Sequence, residues 1–574
     1  MRPPRNPTSS MHVFSNAWRR LELFLAVALI GLSAILAART ALVMATTSLN
    51  IDEFGTVGTF SSHGPHRVVT DYRAPKNHIF FNLLNSVLPG RESLDPARVR
   101  VLSILATLLT GALIVAYAAW RARLMEGAIV VGLWSLAPEM LQRSMEARGY
   151  GFLGLFGVIA SFAVIEYLRT KQRAWLWALA CACTLGVYTM PGFLFFAAPL
   201  MLLLWLTDRT RATFLAGAAT VVAILVLYAP ILGQVLHEFS QFHQDKAEAD
   251  FKTTHGLVRA VKLYLYSCDD WQAWALLAAL ALAPFAPLRM PDRQEGAALR
   301  VIAATCLVYF ACLLVLKTPP LRTATFCMLP LAIAGTWALG SRFRSPLRPA
   351  IFGCVAIVLL FKLAGGIRSF QFTPTEDWLL AGRAIDTAFP GRVRVDFKHY
   401  AKYLGQTLAD SASRSADYDP AAFADGSLVF AEAVSRWGDA RTPRFATPPG
   451  LKRVAQWTIP GTIRDMVLTF RLPETSGLRD APPNLTDGRS DTGARLSSGD
   501  ISLHGEAPPN ARSLVILLNR APARDELQVD APGRAIFLAG NAVVIPLHPG
   551  ERADVRLRAA KGSTLQATEA WIAR

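Results

Sequence analysis

The chain has 574 residues, 52% of them hydrophobic and only 18% charged, with a formal net charge of +17. An ordinary soluble domain carries about 25% charged residues. It also has no use for repeated apolar runs of about 20 residues, each long enough to cross roughly 30 Å of hydrocarbon as a helix. The composition therefore excludes a soluble globular enzyme. The charge distribution argues against a nucleic-acid-binding protein, because the basic residues recur in short loops between apolar runs.

Residues 1–20 hold Arg2, Arg5, Arg19 and Arg20 and read as a short cytoplasmic segment. The apolar run at 21–44 exceeds the about 7–15 residues of a signal-peptide core, so a retained anchor is expected. Further spans are expected near 99–119, 124–141, 149–168, 174–190, 192–207, 212–232, 271–288, 299–316, 323–340 and 348–366, about eleven in all. Basic loops follow at Arg121 and Arg123, at Arg169, Lys171 and Arg173, at Arg209 and Arg211, at Arg289, Arg293 and Arg300, and at Arg342, Arg344 and Arg348. They alternate with near-neutral or acid-containing loops, which is the positive-inside pattern. With the N-terminus inside, an odd number of spans leaves 45–97, 233–270 and 367–574 on the outer side.

The loop 45–97 is far longer than the usual connection of about 4–6 residues, and long loops are often functional. Within it "HIFFNLLNSVL" is amphipathic: Ile79, Phe80, Leu83, Leu84 and Val87 share one face at helical spacing. A short helix lying along the membrane surface is expected. After the transmembrane domain, 21–366, the pattern changes. Residues 367–475 read as a small α/β unit with strands at "GRVRVDF" and "GSLVFAEA". Residues 476–574 carry Gly/Pro/Asp turns between the short strands "RSLVILLN", "DELQVDA", "AVVIPLH", "ADVRLRA" and "EAWIA", the signature of a β-sandwich. "NLTDGRSDTGARL" resembles the opening of jelly-roll carbohydrate-binding modules. All seven cysteines fall at or before Cys354, so no disulfide is expected in the final domain, and no Cys/His cluster suggests a metal site.

Four clusters of polar residues fall on the expected outer side. The first is Asp52-Glu53. The second is "DYRAPKNH", with Asp71, Tyr72, Lys76, Asn77 and His78. The third is "RSMEARGYG", with Arg143, Glu146, Arg148 and Tyr150. The fourth is "KTPPLRTATFCMLPL", with Lys317 and Arg322. Carboxylates serve as general bases and cations hold anionic leaving groups. A membrane boundary is where a lipid-linked phosphate sits. Arg148 and Arg322 stand at helix starts, where backbone N–H groups also favour anions.

The order of these motifs resembles the GT-C glycosyltransferase superfamily. The branch most like it is the protein O-mannosyltransferase and aminoarabinose-transferase-like group. The resemblance covers about residues 20–366 and is carried chiefly by 50–155. It implies a polytopic α-helical membrane protein that moves a sugar from a polyprenyl-phosphate carrier to an acceptor on the outer face, inverting the anomeric centre. Residue by residue it implies Asp52 as the general base and Glu53 as its orienter or an acceptor contact. Tyr72, Lys76, Arg148 and Arg322 bind the donor phosphate. Asp71, Asn77, His78, Glu146 and Tyr150 are further candidates. No metal or other cofactor is expected, since Lys and Arg supply the electrostatic stabilisation. The partners implied are membrane lipids, the polyprenyl-phosphate sugar and an acceptor of unspecified class, with no nucleic acid. The implied location is a bacterial inner membrane with the C-terminal region in the periplasm.

Two other readings stand beside this one. A transporter places ionisable residues within the bilayer, whereas these spans are almost bare of mid-membrane charge. A membrane-anchored glycan-binding protein or sensor leaves the 45–97 cluster unexplained.

Overall fold

The computed structural model describes residues 8–47, 49–72, 77–90, 95–245, 278–286, 292–316, 325–342 and 347–368. Further on it describes 393–395, 429–436, 451–459, 465–473, 494–495, 501–506 and most of 513–573. They fall into two compact units: residues 1–46 with 55–372, and residues 47–54 with 373–574.

The first unit is helical. In chain order its helices are α1 (Thr8–Thr46), α2 (Ile51–Thr59, whose first turn belongs to the second unit), α3 (Pro65–Thr70), α4 (Ile79–Val87), α5 (Pro96–Trp120), α6 (Leu124–Ser135), α7 (Pro138–Met145) and α8 (Tyr150–Thr170). They continue as α9 (Arg173–Thr189), α10 (Leu194–Thr207), α11 (Arg211–Tyr228), α12 (Leu232–Asp245), α13 (Arg293–Leu316), α14 (Thr325–Arg342) and α15 (Leu347–Arg368). Among the described residues six are long and apolar enough to cross a membrane, those of α1, α5, α8, α11, α13 and α15, while α6, α10 and α14 contain shorter apolar stretches. The expected single span at 124–141 is two helices. Pro138 starts α7, because a proline tolerated in a first turn cannot continue the preceding helix. The expected break between 190 and 192 is a 3-10 turn, Pro191–Phe193. Of the expected span 271–288 the described part is a helical turn ending in the 3-10 turn Ala283–Phe285.

α8 is the axis of the bundle: 94% of its apolar window is buried, against 22% for α11. α5, α9, α13 and α14 pack around it. The outer helices show bare apolar side chains, among them Phe24 and Leu42 on α1, Val226 on α11 and Phe361 on α15. In a membrane protein this surface faces hydrocarbon.

One end of the bundle is tied by charge. Three buried glutamates, Glu126 on α6, Glu166 on α8 and Glu295 on α13, meet arginines from the basic loops. Arg123 pairs with Glu295 at 2.7 Å and donates to Ser341 Oγ at 2.9 Å. Arg121 lies between Glu295 at 3.4 Å and Glu166 at 3.5 Å. Arg169 and the Tyr117 hydroxyl donate to Glu166 at 2.6 and 2.8 Å. Arg348 donates to Glu126 at 2.7 Å. The loop arginines that mark topology in the sequence therefore also satisfy carboxylates that would be costly to bury alone.

At the opposite end lies the first loop. The amphipathic stretch at 79–87 is a helix, α4, but its buried side is not the expected apolar stripe. Ile79, Phe81, Asn82, Asn85 and Ser86 are buried, Phe80, Leu83 and Leu84 are partly covered, and Val87 is 66% exposed. The asparagines turn inward because each finds a partner. Asn82 donates to Asn77 at 3.0 Å, and Asn85 donates to Ser61 at 3.1 Å. The Arg98 guanidinium donates to Asn85 Oδ1 and to the carbonyls of Asn85, Leu88 and Pro89, all within 3.2 Å. Phe80 meets Phe152 and Phe156 of α8 edge-on, at 5.4 and 5.6 Å.

The second unit is built of strands: β1 (Val393–Val395), β2 (Val429–Arg436), β3 (Leu451–Ile459), β4 (Asp465–Pro473), β5 (Ala494–Arg495), β6 (Ile501–Glu506), β7 (Ser513–Leu518), β8 (Leu527–Asp530), β9 (Phe537–Ala539), β10 (Ala542–Pro546), β11 (Arg552–Ala559) and β12 (Gln566–Ala573). A mixed sheet has the order β1-β2-β4-β3, with β1 parallel to β2. The other two sheets, β5-β12-β7-β10-β9 and β6-β11-β8, face each other across one core. Leu503, Val555 and Leu557 fill it from one side, and Leu514, Ile516, Val543, Ile545 and Ile572 from the other. This is the alternation that "ADVRLRA" shows in sequence. Every residue of β7 is buried, so that central strand reads as a continuous apolar run instead. The sequence also reads as helical at "DWLLAGRAIDTAF" (377–389) and "HYAKYLGQTL" (399–408), and both stretches lie outside the described residues.

Candidate active site

Three pieces of the first unit converge at the first-loop end: residues 70–72 with 77–78, the turn between α7 and α8, and the last residues of α9. The turn is "EARGYG". Glu146 ends α7 with extended backbone, and its N–H donates to the carbonyls of Gln142 and Arg143. The Arg148 N–H donates to the Glu146 carbonyl at 2.6 Å, and the Arg148 carbonyl accepts from Ser103 Oγ of α5 at 2.9 Å. The chain is thereby folded tightly before α8 begins. Both glycines are required by close approach. A Cβ on Gly149 would stand 2.3 Å from Thr189 Cγ2, and one on Gly151 would stand 2.5 Å from the Ser144 carbonyl.

Arg148 is 3% exposed, and its Cζ lies 4.9 Å from the Tyr150 ring centroid. The ring face supports the cation there. The His78 ring also meets Tyr150, edge-on at 5.5 Å. His78 also approaches Gly149, with Nδ1 3.1 Å from where a Cβ would be. Residues 78 and 150, from separate sequence motifs, are thus in direct contact.

Residues 68–72 are held by side-chain amides. Asn77 Nδ2 donates to the carbonyls of Val68 and Asp71, at 2.9 and 2.8 Å. Asp71 ends α3 and pairs with Arg67 at 2.9 Å. Tyr72 is 3% exposed. Burial, reinforced by the nearby Glu238 carboxylate, pushes its hydroxyl well above the ordinary tyrosine range. Tyr72 therefore keeps its proton at neutral pH and can serve as a hydrogen-bond donor.

Asp52 and Glu53 belong to the second unit. They open α2, where the helix N-terminus favours negative charge. Asn50 Oδ1 accepts from the Glu53 N–H at 2.9 Å, while Glu53 Oε2 accepts from the Asn50 N–H at 2.8 Å. This reciprocal pair is a capping box. It gives Glu53, which is fully buried, a structural duty the adjacent Asp52 does not share, and Asp52 is half-buried.

Of the residues singled out in sequence, Asp71, Tyr72, Asn77, His78, Glu146, Arg148 and Tyr150 gather at this end of the first unit. Lys76, Lys317 and Arg322 lie outside the described residues. Among the described residues no group of three or more His, Cys, Asp and Glu side chains is placed to hold a metal ion. Sequence reasoning passed over Asn50, Ser103, Thr189 and Gln234. Only Asn50 left a local signal, the N-x-x-E spacing of "NIDE".

No family model matches the chain, and no curated protein matches it. Among solved structures it is similar to the oligosaccharyltransferase of Archaeoglobus fulgidus, in complex with zinc and sulfate, at 12% identity and a TM-score of 0.43. That match covers 66% of this chain and 61% of the other. It is similar to ArnT from Cupriavidus metallidurans bound to undecaprenyl phosphate, at 14% identity and a TM-score of 0.44, over 77% of this chain and 97% of the other. It is also similar to the arabinosyltransferase EmbB from Mycobacterium smegmatis, at 11% identity and a TM-score of 0.40, over 95% of this chain and 64% of the other. All three are GT-C superfamily glycosyltransferases.

Proposed function

We propose that this protein is an inverting glycosyltransferase of the bacterial inner membrane, taking its sugar from a polyprenyl-phosphate carrier and working on the periplasmic face. The observation that carries the reading is the contact of His78 with Tyr150 beside the buried Arg148. Two motifs about seventy positions apart, both matching the donor-binding pattern, end at one place near the boundary of an apolar bundle.

In this reading the acceptor hydroxyl loses its proton to Asp52 as its oxygen attacks the anomeric carbon. The bond from that carbon to the phosphate oxygen breaks on the opposite face, and the electron pair leaves with the polyprenyl phosphate. The leaving group is a stable anion and needs no acid. It does need positive charge and hydrogen-bond donors. Arg148 offers a planar guanidinium suited to phosphate, Tyr72 a hydroxyl that stays protonated, and Lys76 and Arg322 further cations. Glu53 keeps Asp52 in place through the cap of α2.

The test is sugar release from radiolabelled polyprenyl-phosphate sugars by the purified full-length protein, with Asp52→Asn alongside. Turnover lost by at least about 10²-fold in the variant, the scale of a general base, with carrier binding intact, is the expected result. Equal turnover in the variant removes Asp52 from the role. A folded wild type that neither turns over nor binds the carrier sinks the transferase reading.

A further inference from the structure

Gln234 lies near the start of α12 and reaches the first loop with both ends of its amide. Its Nε2 donates to the Thr70 carbonyl at 2.9 Å, and the Tyr72 N–H donates to its Oε1 at 2.6 Å. The two bonds straddle Asp71 as one residue of a neighbouring strand would, yet the partner is a side chain 162 positions along the chain. Asn77 binds the same stretch through the carbonyls of Val68 and Asp71. Asp71 and Tyr72 lie beyond the last residue of α3 and belong to no strand among the described residues, so the Gln234 amide pairs with the backbone where the helix stops.

We propose that Gln234 is a positioning residue of the donor site: by pairing with the backbone on both sides of Asp71 it sets where Tyr72 stands against the carrier phosphate. This rests on the donor reading above. It also makes α12, an element absent from the motif pattern, part of the machinery that recognises the carrier.

The experiment measures binding of undecaprenyl phosphate to the full-length protein in lipid nanodiscs, with melting temperature recorded for each variant. Gln234→Met keeps the side-chain length and loses both bonds. It is expected to weaken binding about tenfold, the scale of a hydrogen-bonded anchor, with little change in melting temperature. Gln234→Glu keeps the bond from Tyr72 and sets an oxygen against the Thr70 carbonyl. It serves if the Met variant does not fold, and a loss in the same direction is expected. In a Tyr72→Phe background the Gln234 change is expected to cost less than about twofold, because both act through one hydroxyl. The same loss in both backgrounds overturns the assignment. So does a lowered melting temperature with unchanged affinity, which marks a merely structural role. If the wild type binds and the Gln234 variants bind equally, only Gln234 is removed. If the folded wild type does not bind undecaprenyl phosphate, the donor reading falls and this assignment with it.

Discussion

At the scale of single residues the site depends on the missing side chain of Gly149. The close approach of α9 to the start of α8 leaves no room for a methyl group: Thr189 Cγ2 is 2.3 Å from the position it would take. Gly149→Ala is expected to lower stability by about 1–3 kcal/mol, as overpacking does, and to displace His78, the next neighbour at 3.1 Å. Thr189→Ser removes the offending methyl and keeps the hydroxyl that donates to the Leu185 carbonyl at 2.8 Å. The double variant is expected to recover part of the loss in a thermal melt. No recovery would place the strain at His78 instead.

At the scale of elements, the first turn of α2 separates two carboxylates that are indistinguishable as letters. Glu53 closes the capping box with Asn50, whereas Asp52 beside it has no place in that pair. Glutamine also serves at the third helical position of such a box. Glu53→Gln is therefore expected to keep the protein folded, and turnover in that variant reports whether the charge itself matters. Asn50→Ala, which removes the acceptor, is expected to cost about 1 kcal/mol. A melting temperature unmoved by Asn50→Ala would show that α2 is held by something other than its cap. α4 teaches a related point. Its apolar positions were legible as a face, but its inner side is lined by Asn82 and Asn85. Helical spacing cannot tell an inward from an outward stripe when polar residues have partners waiting inside.

At the scale of the whole first unit, the two ends of the bundle are built differently. The end opposite the site is closed by Glu126, Glu166 and Glu295 with their arginines. Glu166 has no exposed surface and receives Tyr117, Arg121 and Arg169. Removing one partner of a buried pair leaves the other uncompensated, so Glu166→Gln is expected to destabilise by on the order of 3 kcal/mol. The Lys171–Asp208 pair nearby has its lysine 44% exposed. Lys171→Ala is expected to cost less than about 1 kcal/mol. Unfolding in mild detergent compares the two, and equal losses would show that burial is not what gives the Glu166 cluster its weight.

The sequence by itself determined the class of the molecule. Apolar runs of sufficient length, basic loops between them, and alternating strands such as β11 are local properties, and each is written in consecutive residues. It also marked Tyr72, His78, Arg148 and Tyr150, because polar clusters stand out at the edges of apolar runs. Tertiary structure alone decided which of them touch. Thr189 is an ordinary threonine until α9 brings it against Gly149, and Gln234 is an ordinary helical glutamine until it reaches Thr70 and Tyr72. Buried amides, methyl contacts and shared carboxylates depend on distance in space between residues far apart in the chain. No window of sequence contains that distance.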